Sequence, residues 1–190
     1  MSIAEPRRLG GEHGDLADRI LDAARRVVLR TGARKLSLAE VANLAGISRP
    51  TLYRYFASKE DLLDALGKRE YQRFKASMAD AVSGLSGQAR IEAAIDVAAT
   101  FLGDQPSRHL VDLEPGFVHD QMNQVLPMLT AALVGVFEQC VREDGYRFAP
   151  APSDVAGAIA RTAFSHYIFP DADPMSARRQ LRAAAGLGDR

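Results

Sequence analysis

The order of apolar and polar positions predicts helices from one end of the chain to the other. From Asp15, the apolar residues Leu16, Ile20, Ala24, Val27 and Val28 recur at helical spacing. Asp15 stands as N-cap with Asp18 three residues on, and Thr31-Gly32 ends the run. Leu38, Val41, Ala42 and Ala45 repeat the spacing over a shorter stretch. Ser37 and Glu40 form an S-x-x-E capping box at its start, and Gly46 closes it. A third stretch opens at Ser48, carries Pro50 in its first turn, and sets Leu52 and Phe56 one turn apart. Ser58, with Asp61 three residues later, caps a fourth helix through Leu62, Leu63, Leu66 and Tyr71 to about Val82.

Ser83-Gly84-Leu85-Ser86-Gly87 breaks the pattern. Ile91, Ala94, Ile95, Ala98, Phe101 and Leu102 then mark a helix over 88–102, followed by a break at Gly103 to Pro106 and a short segment, Ser107 to Leu113. Phe117 to Glu143 reads as one long helix bent at Pro127 and ended by Gly145. After a loop from Tyr146 to Pro152, Ser153 or Asp154 opens a helix striped by Val155, Ala156, Ile159, Ala160, Ala163, Phe164 and Tyr167. Pro170 stops it. Asp173-Pro174 opens a last helix carrying Met175, Ala177, Leu181, Ala184 and Leu187. The scarcity of β-branched clusters supports the same conclusion: the fold class is all-α.

The second and third stretches, joined through Gly46, describe a helix-turn-helix. With Leu52 and Phe56 turned to a core, Arg49, Thr51, Tyr53, Arg54 and Tyr55 point elsewhere. Two arginines, a hydroxyl and two tyrosines on so short a helix suit phosphates and base edges better than a core. The run S-L-A-E-V-A-N-L-A-G-I-S-R-P-T-L-Y-R-Y-F-A-S-K-E-D-L-L, from Ser37 to Leu63, resembles the DNA-binding signature of the TetR family of bacterial transcriptional regulators over 27 consecutive positions. The rest of the chain resembles that family only in length and helical texture.

Chemistry and the resemblance together assign DNA-contact roles. Arg49 and Thr51, near the start of the recognition helix, are candidates for base edges, since arginine pairs with guanine and the threonine methyl meets that of thymine. Pro50 belongs to the same helix start. Tyr53, Tyr55 and Lys59 are candidates for phosphates, and Arg54 suits either task. Ser37 is a phosphate-contact candidate as well as a cap; the family often has threonine there, a mild departure that keeps the hydroxyl.

The resemblance implies an N-terminal three-helix DNA-binding domain at 15–60, after a flexible arm at 1–14, and a C-terminal helical ligand-binding and dimerisation domain at 61–190. Arg7 and Arg8 put two positive charges on the arm. The family resemblance implies a homodimer through the last two helices, paired as a four-helix bundle so that two recognition helices meet an inverted-repeat operator in double-stranded DNA. The stripe on the penultimate helix reads equally well as internal core. The resemblance also implies a small-molecule chamber among the middle helices. Its candidate apolar lining is Phe101, Leu110, Leu113, Phe117, Met122, Met128, Phe137 and Phe164, and the polar minority is His109, His119, Asn123, His166 and Tyr167. Such a lining suits a largely apolar effector, and Arg108 is the single basic residue from Phe101 to Phe137.

Net charge is zero, which argues against a non-specific nucleic-acid coat, but its distribution is uneven. Residues 1–75 hold 15 Lys and Arg against 10 Asp and Glu, and the remainder holds 9 against 14. A basic end on an acidic remainder suits a chain of which one part meets a polyanion. A single cysteine, Cys140, excludes an intrachain disulfide and fits a reducing cytoplasm. The first fourteen residues lack the apolar core of a signal peptide. The longest apolar run, Val125 to Phe137, is interrupted by Pro127, Thr130 and Gly135, so no membrane span is expected.

An enzyme is not expected. Ser165 and His166 are neighbours that diverge by about 100° around a helix, and no metal-ligand spacing or glycine-rich phosphate loop occurs. No cofactor or metal is therefore expected, and Cys140, with no adjacent His or Lys, reads as a buried inert thiol. The alternative to an effector-responsive repressor is a DNA-binding architectural protein that takes no ligand.

Overall fold

The computed structural model of the chain describes residues 10–103, 115–173 and 175–188. Among the described residues there are eight α-helices and no strand: α1 (Gly10–Thr31), α2 (Leu38–Leu44), α3 (Arg49–Tyr55), α4 (Lys59–Val82), α5 (Gly87–Gly103), α6 (Pro115–Asp144), α7 (Pro152–Ile168) and α8 (Ser176–Ala184). The expected segment at 107–113 lies outside the described residues. The chain divides into two compact units, Met1–Arg69 and Glu70–Arg190, so the division falls inside α4.

In the first unit, the apolar face of α1 (Ile20, Ala23, Ala24, Val27) is fully buried together with Val41 and Ala42 of α2, Leu52 of α3 and Leu62 of α4. Each large aliphatic side chain so buried contributes about 1.5–3 kcal/mol. The α2–α3 turn is closed by a paired motif. Gly46 takes φ +67, its N–H reaches Asn43 O at 3.1 Å, and Ile47 N–H reaches Ala42 O at 2.9 Å. That pattern needs a left-handed residue, which glycine supplies without a Cβ clash.

In this unit two expectations at helix starts fail. α1 begins at Gly10, not at Asp15, so the expected arm at 1–14 overlaps a helix from residue 10 onward. Once a helix has its nucleus, each glycine weakens it by only about 1 kcal/mol and does not end it. The Ser37–Glu40 capping box does not form. Ser37 has the extended backbone of an N-cap but makes no side-chain cap bond, and the Glu40 carboxylate pairs with Arg30 instead.

In the second unit α7 packs against α5, α6 and α8, and α5 against α6 and α8. Ile91, Ile95 and Ala98 of α5, Leu129, Leu133, Phe137 and Cys140 of α6, Ile159 and Ala160 of α7, and Leu181 of α8 form one core with Phe74 and Met78 from the end of α4. α7 starts at Pro152 on an Ala151 N-cap, ahead of the expected Ser153 or Asp154. Pro152 suits the first helical position, where its fixed φ is already helical. The final helix starts later than expected, at Ser176, and Met175, assigned to its apolar stripe, is 53% exposed. Asp173 accepts from Met175 N at 2.9 Å, which turns the methionine outward ahead of the helix.

Arg90, 9% exposed, fastens the α4–α5 turn to the end of α6. Its Nε donates to Leu85 O at 2.7 Å, and its Nη1 lies 3.0 Å from Glu143 and 3.4 Å from Asp144. Asp144 in turn accepts from Gly87 N at 2.7 Å. Hydrogen bonds from Gln139 and Arg90 hold the Glu143 carboxyl below the usual carboxylate range. Cys140 is buried beside this clip, and burial pushes its thiol pKa up.

α6 corrects the expectation of no membrane-length helix. It runs unbroken through Pro127, which is exposed, and Thr130, whose hydroxyl donates to Leu126 O at 2.8 Å. Val118–Asp144 is therefore long and apolar enough to cross a bilayer by length and composition, with mean hydropathy 1.4 in its most apolar window. Leu129, Leu133, Phe137 and Cys140, buried against the second unit's core, give it the one-sided packing of a core helix.

Candidate nucleic-acid interface

α3 is built as an exposed platform. Ser48 accepts from Thr51 N at 3.2 Å and its hydroxyl lies 2.8 Å from that of Thr51, so cap and first turn are locked together. Pro50 occupies the first turn. Leu52 and Phe56 anchor the helix in the core, and Phe56 N closes it on Leu52 O at 3.0 Å. The rest of the helix faces out. Arg49, Pro50, Tyr53 and Arg54 are exposed, while Thr51 and Tyr55 are half-buried. Arg49 and Tyr53, four residues apart, share one face, and Pro50 and Arg54 the next. The structure thus brings the six α3 candidates onto one short helix, and Thr51 offers its methyl while its hydroxyl serves the cap.

Three basic side chains hold this platform from behind. Arg19 of α1 donates to Ala45 O at 2.8 Å, where α2 runs out of intrahelical partners, beside Gly46. Arg30 pairs with Glu40 and ties α1 to α2. Lys59 donates from Nζ to Arg34 O at 2.6 Å and ties the start of α4 to the α1–α2 turn. Lys59 is also the phosphate candidate of the sequence. The partners of Arg19, Arg30 and Lys59 lie 26, 10 and 25 residues away, which no local spacing rule reveals. Ser37, exposed and free of its cap bond, keeps its hydroxyl at a helix start.

Lys59→Ala is therefore expected to lower the melting temperature of the first unit by the loss of about 1 kcal/mol, besides weakening binding to all duplexes alike. Thermal denaturation followed by circular dichroism checks it. An unchanged melting temperature would leave Lys59 with a phosphate role alone.

Among the described residues, the candidate effector residues divide between one core and the surface. Phe137 is fully buried and stacked on Phe148 with centroids 5.0 Å apart, and Phe164 is buried in the same core. Phe101 packs on Phe74 at 4.7 Å, and Met122 and Tyr167 lie half-buried against the core, while Met128 is half-buried. His119 and Asn123 are exposed and touch each other at 3.3 Å; His166 meets Gln180 at 3.1 Å. His109, Leu110 and Leu113 lie outside the described residues, as does the side chain of Phe117. Among the described residues no group of three or more His, Cys, Asp or Glu is placed to hold a metal ion.

Residues 20–66, spanning α1 to the first turns of α4, match the bacterial regulatory proteins of the tetR family. The likeness to the TetR family is carried by that stretch, about a quarter of the chain. An uncharacterized HTH-type transcriptional regulator of Mycobacterium tuberculosis is 49% identical over 57 residues, 30% of this chain and 28% of that protein. The chain spans 28–34% of the length of the first curated relatives it matches. The fold likeness reaches further. A TetR transcription regulator from Haloarcula marismortui superposes with TM-score 0.72 at 19% identity, over 91% of this chain and 97% of that one. The transcriptional regulator FadR from Bacillus subtilis, in complex with stearoyl-CoA, gives TM-score 0.66 at 19% identity, over 88% and 97%.

Proposed function

We propose that this chain is a TetR-family, sequence-specific DNA-binding regulator of transcription, acting as a dimer on an inverted repeat. The observation that carries the reading is α3 itself. It is a two-turn helix capped by Ser48, anchored by Leu52 and Phe56, with Arg49, Pro50, Tyr53 and Arg54 exposed. Arg49 and Thr51 read base edges; Tyr53, Tyr55 and Ser37 meet phosphates; Arg54 serves either. Lys59, held on Arg34 O, brings its charge to the phosphates from a fixed position.

Repression relieved by a small, largely apolar effector is the preferred mode. The stearoyl-CoA bound by the Bacillus subtilis neighbour is an effector of that kind in its acyl part. Release then requires that the effector bind better to the conformation with the recognition helices wrongly spaced, since only differential affinity shifts the population. Dimerisation through α7 and α8 has to use faces other than the expected stripe, because Val155, Ala156, Ile159, Ala160, Ala163 and Phe164 are already core. The outward residues Ala158, Arg161 and Ser165, with Phe169 at 75% exposure, remain for it.

The burial of Phe137 and Phe164 within the core favours the second reading, a DNA-binding protein that takes no effector. Selection of duplexes from a random pool, at near-physiological salt, tests the main proposal: enrichment of an inverted repeat is expected, and salt-sensitive binding without enrichment would overturn it. A rise in melting temperature with stearoyl-CoA separates the two modes. No shift with acyl-CoA or other apolar probes would favour the effector-free reading.

A further inference from the structure

α4 is the covalent link between the two units, and its ties differ along its length. Phe74 and Met78 belong to the core of the second unit. In the first unit, Leu62 and Leu66 are buried, and the last residue, Arg69, reaches across to α1. There its Nη1 donates to Asp18 O at 2.9 Å and lies 3.7 Å from Asp18 Oδ1, while Nη2 lies 2.9 Å from Asp22 Oδ1. The two aspartates stand four residues apart on one face of α1, so a single guanidinium spans a helical turn. The Arg69 side chain is only 11% exposed, so solvent screens the group less than an ordinary surface pair.

Resting on the DNA-binding reading above, we propose that Arg69 is a positioning residue: its strap to Asp18 and Asp22 makes α4 and α1 one rigid piece as far as residue 69. The helix-turn-helix rides on α1 through the Arg19–Ala45 and Arg30–Glu40 ties. Any movement of α4 then reaches the recognition helix instead of being absorbed between α4 and α1. The strap thus enforces the separation of the two half-sites, which a dimeric reader must hold to a helical turn of DNA. Two donor nitrogens in a planar fork suit this task, because they fix orientation as well as distance.

The test uses the full chain and its selected inverted repeat, with the spacer lengthened or shortened by one and two base pairs. Wild type is expected to lose at least about tenfold in affinity at the shifted spacings. Arg69→Gln is expected to flatten that preference to about threefold or less, with half-site sequence preference retained. Arg69→Lys, which keeps the charge without the fork, restores part of the preference. Asp22→Asn, a change at a half-exposed carboxylate, reproduces the flattening and serves if Arg69→Gln fails to fold. A uniform loss of affinity at every spacing, with the optimum as sharp as in wild type, would overturn the inference and leave Arg69 a stabilising contact. Absence of any inverted-repeat preference in wild type would instead fell the regulator reading on which it rests.

Discussion

Phe137→Ala is expected to lower the stability of the second unit by about 3–5 kcal/mol, the range for emptying a fully buried aromatic site. Phe137 has no exposed surface, and its ring is stacked on Phe148, which also touches Tyr146 at 4.9 Å between centroids. Removing it leaves a hole in the core that Ile95, Ile159 and Leu181 also build. These side chains cannot all move inward without losing contacts of their own. In melting temperature the change amounts to roughly 10 °C or more. Calorimetry on the purified chain measures it. Phe137→Leu, which returns most of the volume, should recover most of the loss. A melting temperature within two or three degrees of wild type would mean that the ring lines a space already open, as an effector chamber requires.

Arg49→Ala is expected to weaken binding to the selected operator by about tenfold to a hundredfold, equivalent to about 1–3 kcal/mol for a bidentate pair with guanine. The melting temperature should stay within a degree, because Arg49 is exposed in the first turn of α3 and carries no part of the core. Binding to random duplexes should fall far less than binding to the operator, and a substituted base pair at the contacted position should no longer matter. Fluorescence anisotropy with operator and scrambled duplexes, repeated at two salt concentrations, separates these terms. Equal losses on both duplexes, with a shallower dependence on salt, would place Arg49 on a phosphate.

The turns of the helix-turn-helix were legible because their chemistry is local. Ser48 with Pro50, Gly46 after Ala45, and Ser58 with Asp61 each state a backbone need within four residues, and the structure meets each of them. The long fourth helix and the buried positions Leu52, Phe56 and Leu62 followed from periodicity for the same reason. What failed involved competition from a distance. Ser37–Glu40 is a sound capping box by spacing, yet the glutamate pairs with Arg30, and no local rule announces that Lys59 also donates to Arg34 O. Gly10, Gly11 and Gly14 look like chain breakers, but they extend a helix whose stability comes from Ile20 to Val28. On α7 an apolar stripe says only that something covers it. The cover is α5, α6 and α8, so a stripe of small residues gave no means to tell a subunit interface from a core. Arg69 carried no signal at all, since its partners are about fifty residues away on another helix.

The division within α4 has a consequence for synthesis on the ribosome. Every tie described for the first unit closes within the stretch ending at Arg69, whereas the second unit's core is incomplete without Leu181 of α8. At about 5–20 residues per second, roughly 5–20 s of translation separate the emergence of those two positions. A nascent chain therefore holds every contact that fixes α3 while the rest of its interior is still open.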